Sequence, residues 1–156
     1  MLDGRWRTSF ENGLRPVGAS LRRTGVSADH LTLLGVVMAG AAAVAIGSGH
    51  LALGLLFVVL TAAPDVLDGA VAKASGTASP RGAFFDSVMD RVSDALLLGG
   101  VAWYLAAERG GYWPVLPMAV LAASMVISYE RAKAEGLGYD ARGGLMERAE
   151  RIAALA

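Results

Sequence analysis

The sequence predicts an all-α fold, and specifically a polytopic bundle of membrane-spanning helices. Of its 156 residues, 54% are hydrophobic and only 18% are charged. The apolar residues lie in long blocks, each close to the roughly 20 residues that a helix needs to cross a bilayer. Basic residues cluster between alternate blocks, as they do on the cytoplasmic side of membrane proteins. These three observations indicate an integral membrane protein, with residues 1–156 in a single domain.

The first segment, Met1–Thr24, predicts an amphipathic helix that lies on the membrane surface. Aromatic and aliphatic residues recur there at near-helical spacing, with arginines among and beyond them. An apolar face opposite a basic face is typical of interfacial helices. A partly disordered basic tail is the alternative, because Gly13, Pro16 and Gly18 weaken a helix.

Four transmembrane helices and the start of a fifth are predicted after this segment. Ser27 precedes the first apolar block and is a predicted N-cap. Short turns at Gly47–His50 and Glu108–Gly111 separate neighbouring spans. The predicted elements are a first span at Leu31–Ser48, a second at Leu51–Lys73, a third from Gly82 to about Ala107, a fourth that ends near Tyr129, and a fifth helix from about Leu145.

The basic residues also predict the orientation of the bundle. The N-terminal arginines, then Lys73 and Arg81, and then the basic residues from Arg131 onward all fall on one side of the predicted topology. On the opposite side, the only basic residues are Arg109 and His50. The positive-inside rule places the basic side in the cytoplasm, so we expect a multi-pass protein of the cell membrane with its aspartate-rich hairpin facing the cytoplasm.

The candidate functional residues are two pairs of aspartates joined by the turn Ser75–Pro80. Asp65 and Asp68 are spaced i, i+3 and share one helix face. Asp86 and Asp90 are spaced i, i+4 and share a face of the next helix. An antiparallel hairpin would bring all four carboxylates together in a nonpolar setting, where their mutual repulsion requires bound divalent cations.

Three roles are compatible with such a cluster. The acids could pair with Arg81 and Arg91 and lock helices together, although two bases do not neutralise four acids. They could line a cation path, but such a path scatters acids through the membrane, and only Asp94 lies deeper than Asp90. The third role is catalysis by two metal ions, which neutralise a pyrophosphate while one carboxylate takes a proton. Oxygen ligands favour Mg²⁺, or Mn²⁺, over softer metals.

The same stretch resembles the signature of the CDP-alcohol phosphotransferase family, DxxDGxxAR-x8-GxxxDxxxD. The matching positions are Asp65, Asp68, Gly69, Ala72, Gly82, Asp86 and Asp90. Lys73 stands where the family has Arg, which keeps the charge but loses the bidentate fork for phosphate. The segment Ala28–Leu31 resembles the family's Pro-Asp/Asn segment that lines the nucleotide pocket, with Ala28 in place of Pro. Because the family has six spans, we expect this domain to be incomplete at its C-terminal end.

The resemblance implies an enzyme that transfers a phosphoalcohol group from a CDP-linked lipid or alcohol to a second alcohol and releases CMP. It implies that the four aspartates bind two Mg²⁺ ions, with Mn²⁺ possible, and that Asp90 also accepts the proton. Contacts to the CDP-lipid are implied for Ala28, Asp29, His30, Leu31, Gly69, Lys73 and Ser79.

Within the family, the segments 128–135 and 143–151 look most like actinobacterial phosphatidylinositol phosphate synthases. In those enzymes, basic residues at these places hold the phosphate of inositol phosphate. The corresponding residues of this chain are Arg131, Lys133, Arg148 and Arg151. The alternative is that these cations only reflect the positive-inside rule.

This narrower resemblance implies CDP-diacylglycerol as the donor, inositol phosphate as the acceptor and phosphatidylinositol phosphate as the product. It also implies a homodimer embedded in membrane lipid, and no nucleic-acid partner is expected. Two alternatives stay open: the same chemistry with glycerol 3-phosphate as the acceptor, as in a phosphatidylglycerophosphate synthase, and an inactive truncated membrane protein.

Overall fold

The structure is a computed structural model that describes residues 27–61 and 79–139. These two ranges contain four helices and no strand, which confirms the all-α prediction. The helices are α1 at Ala28–Gly47, α2 at Leu51–Thr61, α3 at Pro80–Glu108 and α4 at Val115–Gly136. The predicted interfacial helix, the first aspartate pair and the fifth helix lie outside the described residues. The chain divides into two compact units, Met1–Leu121 and Ala122–Ala156.

Local sequence signals account for both ends of α1. Ser27 and His30 form a reciprocal capping box, because the His30 amide donates to Ser27 Oγ and the Ser27 amide donates to His30 Nδ1, both at 3.2 Å. Ser27 is therefore the N-cap that the sequence predicts. After α1, Gly49 has a φ of 84°, a left-handed conformation that favours glycine, and the chain turns into α2.

Helices α1 and α3 form the packed core of the first unit. Gly100 lies so close to the backbone of Ala43 that a Cβ added to Gly100 would be 2.6 Å from Ala43 Cα. About one turn further along both helices, Gly47 lies against the ring of Trp103. The paired positions advance in the same direction, so α1 and α3 run parallel. Small residues on α1 allow this close approach of two helices; Ala39, Ala42 and Ala43 are all buried.

The turn between α3 and α4 confirms the predicted break at Glu108–Gly111. Gly110 and Gly111 have φ values of 62° and 58°, which end the helix. The guanidinium carbon of Arg109 lies 4.8 Å from the centroid of the Trp113 ring, a cation–π contact. Tyr112 and Trp113 are exposed, as expected of side chains in an interfacial aromatic belt.

Helix α4 continues past Tyr129, where the sequence predicts the end of the fourth span, and ends at Gly136. The additional turns are polar and are supported by an ion pair between Arg131 Nε and Glu135 Oε1 at 3.2 Å, across one helical turn. The boundary estimated from hydropathy therefore marks the end of the apolar segment and not the end of the helix.

Two of the described helices, α1 and α4, are long and apolar enough to cross a membrane. The described part of α2 is apolar but shorter, and α3 is longer but carries charged residues in its first half. Large apolar side chains such as Val37 and Val44 of α1 are exposed, which suits surfaces that face lipid. The predicted number of spans, the interfacial helix and the cytoplasmic orientation stay predictions.

Candidate functional site

The described half of the candidate site is built on the first turns of α3. Ser79 caps this helix by accepting a hydrogen bond from the Gly82 amide at 3.1 Å, and Pro80 occupies the first helical position. Both features are favoured at a helix start, because the cap satisfies a backbone donor and proline has none to satisfy. Ser79, a predicted CDP contact, is exposed and has this capping role in the structure.

Asp86 and Asp90 follow on one face of α3. Their i, i+4 spacing separates them by one turn, or about 6 Å along the helix axis. Both residues are partly exposed. Within residues 27–61 and 79–139, no group of three or more potential metal ligands comes together. Carboxylate oxygens are the ligand type that hard divalent cations prefer. The metal-ligand role of Asp86 and Asp90 stays a prediction, and their predicted partners Asp65 and Asp68 lie outside the described residues.

A second charged feature adjoins Asp90 on the same helix. Arg91 Nη2 lies 3.3 Å from Asp94 Oδ2 and 3.7 Å from Asp90 Oδ2. The side chains of these residues are only 17 to 24% exposed. Sequence reasoning identified Arg91 as a possible partner for the aspartates but missed this arrangement. The available signal was the i, i+3 spacing of Arg91 and Asp94.

The start of α1 lies at the same end of the helix pair as the aspartates. Ala43 and Gly100 are in contact. Asp29 precedes Ala43 by 14 residues, and Asp86 precedes Gly100 by the same number. Because the two helices run parallel, Asp29 and Asp86 lie at about the same level along the helix pair. Asp29 is half-buried, and the His30 side chain is exposed. Leu31, also a predicted nucleotide contact, is only 7% exposed and belongs to the packed core. The structure thus brings the Ala28–Leu31 segment and the second aspartate pair to one end of the bundle.

The predicted acceptor residues fall in the second unit. Arg131 and Lys133 are exposed in the last turns of α4, and Arg131 is paired with Glu135. Arg148 and Arg151 lie outside the described residues, as do Gly69 and Lys73. The roles predicted for these residues stay predictions.

The fold is that of a helical membrane protein. At one end of its parallel helices α1 and α3 lie two carboxylates, Asp86 and Asp90, and the capped start of α3. Comparison with known proteins identifies the family. Residues 26–146 match the CDP-alcohol phosphatidyltransferase family, and the chain belongs to this family. The resemblance noted in the aspartate motif is thereby confirmed.

Relatives with known names are similar over most of the chain. The phosphatidylinositol phosphate synthase of Mycobacteroides abscessus is 37% identical over 94% of this chain and 67% of its own length. The archaetidylinositol phosphate synthase of Aeropyrum pernix is 39% identical over 97% of this chain and 76% of its own length. The chain spans about two thirds of the length of the phosphatidylinositol phosphate synthases it matches, 67% and 64% for two of them.

The chain is also similar to solved structures of a phosphatidylinositol phosphate synthase. Crystal structures of Mycobacterium tuberculosis phosphatidylinositol phosphate synthase are 34% identical to this chain. The structure with CDP-DAG bound has a TM-score of 0.82 over 90% of this chain and 71% of that one. The structure in complex with manganese and citrate has a TM-score of 0.79 over 89% of this chain and 68% of that one.

Proposed function

We propose that the protein transfers the phosphatidyl group from CDP-diacylglycerol to inositol phosphate, releasing CMP and forming phosphatidylinositol phosphate. The observation that carries this proposal is the aspartate pair of α3, which lies at the same end of the helix pair as the start of α1 in a chain of this family. The names of the relatives support the choice of inositol phosphate. The CDP-DAG bound to the tuberculosis enzyme supports the choice of donor.

Two divalent cations complete the proposed site. Their ligands are Asp65, Asp68, Asp86 and Asp90. Manganese in the tuberculosis structure supports a divalent metal, and Mg²⁺ suits the same oxygen ligands. When bound, the cations neutralise the pyrophosphate of the donor and stabilise the charge that develops on the leaving group.

The chain's own residues bind the donor and move the proton. Asp90 accepts the proton of an inositol hydroxyl, whose oxygen forms a bond to the β-phosphorus of CDP-diacylglycerol. The bond between that phosphorus and the bridging oxygen breaks, and CMP leaves with the bridging oxygen. The proposed donor contacts are Ala28, Asp29, His30, Leu31, Gly69, Lys73 and Ser79.

The acceptor phosphate is bound by cations from the end of α4 and from the segment after it. The proposed residues are Arg131, Lys133, Arg148 and Arg151. Charge-assisted hydrogen bonds to a phosphomonoester are among the stronger ones in proteins, so these cations favour inositol phosphate over free inositol. Arg131 pairs with Glu135 through its Nε atom, and its guanidinium carries further N–H donors in the planar geometry that matches phosphate.

The proposed setting is a homodimer in the cell membrane with the site facing the cytoplasm. Each subunit has an interfacial N-terminal helix, four transmembrane helices and the start of a fifth. The acyl chains of the donor lie in the bilayer, while its head group enters a polar cavity. Most basic residues fall on one side of the predicted membrane topology, and this distribution supports the proposed orientation.

An assay of CMP release tests the proposal. The protein in lipid or detergent is supplied with CDP-diacylglycerol and, separately, inositol phosphate, inositol and glycerol 3-phosphate. We expect release with inositol phosphate only, loss of release with EDTA, and recovery with Mg²⁺ or Mn²⁺. A preference for glycerol 3-phosphate would support the rival acceptor, and no release with any acceptor would support an inactive protein. Full activity in chelator would contradict the metal site.

A further inference from the structure

We propose that the apolar groove between α1 and α2 binds one acyl chain of a membrane phospholipid, at the end of α1 opposite the candidate site. The groove has a volume of about 470 Å³, which is within the range of pockets that hold small molecules. Residues of α1, of α2 and of the turn between them line it, among them Gly40, Val44, Leu53 and Phe57. Such binding is independent of the proposed enzymatic activity.

The shape and lining of the groove suit a hydrocarbon chain. Gly40 and Ala41 contribute little side-chain volume to the lining, and a Cβ added to Gly40 would meet no described atom within 4 Å. From Gly40 to Ser48 the groove follows α1 for about 12 Å, given the rise of an α-helix per residue. An elongated apolar groove of this length accommodates an acyl chain, which gains free energy by burying its methylene groups.

The exposed face of α1 indicates that lipid surrounds this groove. Three large apolar residues on this face, Leu34, Val37 and Val44, are 43 to 60% exposed. Their spacing places them on one side of the helix, between the exposed residues His30 and Ser48. His30 and Ser48 are about 27 Å apart along the helix axis, and the hydrocarbon core of a bilayer is roughly 30 Å thick. An apolar face of this length with a polar residue at each end matches the membrane interior and its two interfaces.

The turn after α1 supplies polar groups at one end of the groove. Ser48 Oγ donates to the Val44 carbonyl at 2.6 Å and lies 3.2 Å from His50 Nδ1. Because the carbonyl takes the hydroxyl hydrogen, His50 Nδ1–H is the donor to Ser48 Oγ. The other ring nitrogen, Nε2, is therefore directed away from Ser48, and His50 is exposed. A phospholipid has the matching order of groups: its head group lies beside His50, and one acyl chain extends along Val44 toward Gly40.

Photoaffinity labelling tests for the bound chain. The full chain, purified in detergent, is mixed with a phosphatidylcholine that carries a diazirine within one acyl chain. Labelled peptides are then identified by mass spectrometry. We expect labelling of residues 40–57 that saturates as the lipid concentration rises and that an excess of unlabelled phosphatidylcholine displaces.

Gly40→Leu fills the groove, and Gly99→Leu is its matched control. A leucine at position 40 excludes about two methylene groups of the bound chain, so saturable labelling of residues 40–57 should fall roughly tenfold. Gly99 lies on α3, outside the groove, and a Cβ there also meets no described atom within 4 Å. Gly99→Leu should therefore be labelled as strongly as the unaltered protein. Circular dichroism confirms that each variant is folded.

Three results would overturn the proposal. Labelling of residues 40–57 that neither saturates nor is displaced would show contact with bulk lipid only. Absence of labelling there would show that another segment of the chain, or a second copy, occupies the groove. Equal labelling of Gly40→Leu and Gly99→Leu would place the bound chain elsewhere. If Gly40→Leu does not fold, Ala41→Leu fills the groove from the adjacent residue, and the same comparison with Gly99→Leu decides.

Discussion

The two halves of α3 use one helical backbone for different purposes. The first half carries Asp86, Asp90 and Asp94 with Arg91, all of them partly exposed. The second half approaches α1 so closely at Gly100 that no side chain fits there. The two ends of this arrangement, Asp86 and Gly100, are about 20 Å apart along the helix. Close packing in the second half therefore helps to set the position of the charged first half.

The sharpest test of this contrast is Asp90→Asn in the charged half. The amide keeps the shape of the side chain and one oxygen, but it cannot accept the proton. Turnover should fall by about 10²- to 10⁴-fold, the usual effect of losing a general base. CDP-diacylglycerol binding and the melting temperature should change little, and both are measured on the same preparation. A loss of donor binding as large as the loss of turnover would instead make Asp90 mainly a metal ligand.

The reciprocal test is Gly100→Ala in the packed half. The new Cβ would lie 2.6 Å from Ala43 Cα and 2.7 Å from Ala43 O, and backbone atoms cannot move aside as a flexible side chain can. We expect the free energy of unfolding in detergent to fall by about 1–3 kcal/mol, as for other overpacked contacts. The measurement is thermal or denaturant unfolding.

Gly99→Ala is the control for this substitution, because a Cβ there meets no described atom within 4 Å. It should be neutral or slightly stabilising, since alanine favours a helix more than glycine does. Equal destabilisation by both substitutions would show that the cost arises from the helix itself and not from the contact with α1. The contrast between the two halves would then lose its basis in packing.

Local features of the fold could be predicted from the sequence, because their causes are local. Ser27 as a cap and the break at Glu108–Gly111 depend on a few neighbouring residues, and the structure has both. The contact between Ala43 and Gly100 could not be predicted in this way. Gly99 and Gly100 are adjacent and chemically identical, and only the packing of α1 on α3 distinguishes them.

In the candidate site, too, local relations could be predicted from the sequence and side-chain contacts could not. The spacing of Asp86 and Asp90 places them on one face of a helix, and this relation needs no tertiary information. The ion pairs of Arg91 with Asp90 and Asp94 depend on side-chain geometry that spacing leaves open. Sequence reasoning could therefore name Arg91 as a nearby base, but it could not say which carboxylate lies nearer.

The smallest expected effect concerns Ser79, which begins the charged half. Its Oγ accepts from the Gly82 amide at 3.1 Å, so Ser79→Ala should cost about 1 kcal/mol of unfolding free energy through loss of the cap. Ser27→Ala removes the corresponding cap of α1 and should cost a similar amount. Both losses are measured by denaturant unfolding in the same detergent.

Ser79→Asn separates capping from donor binding, because asparagine is as good an N-cap as serine. Stability should return to that of the unaltered protein in this variant. If the Ser79 hydroxyl also contacts the CDP-lipid, the KM for CDP-diacylglycerol should rise in both the alanine and the asparagine variants. An unaltered KM in Ser79→Asn would limit Ser79 to holding the start of α3. The charged half would then depend on its cap only for position, as it depends on Gly100 in the other half of the helix.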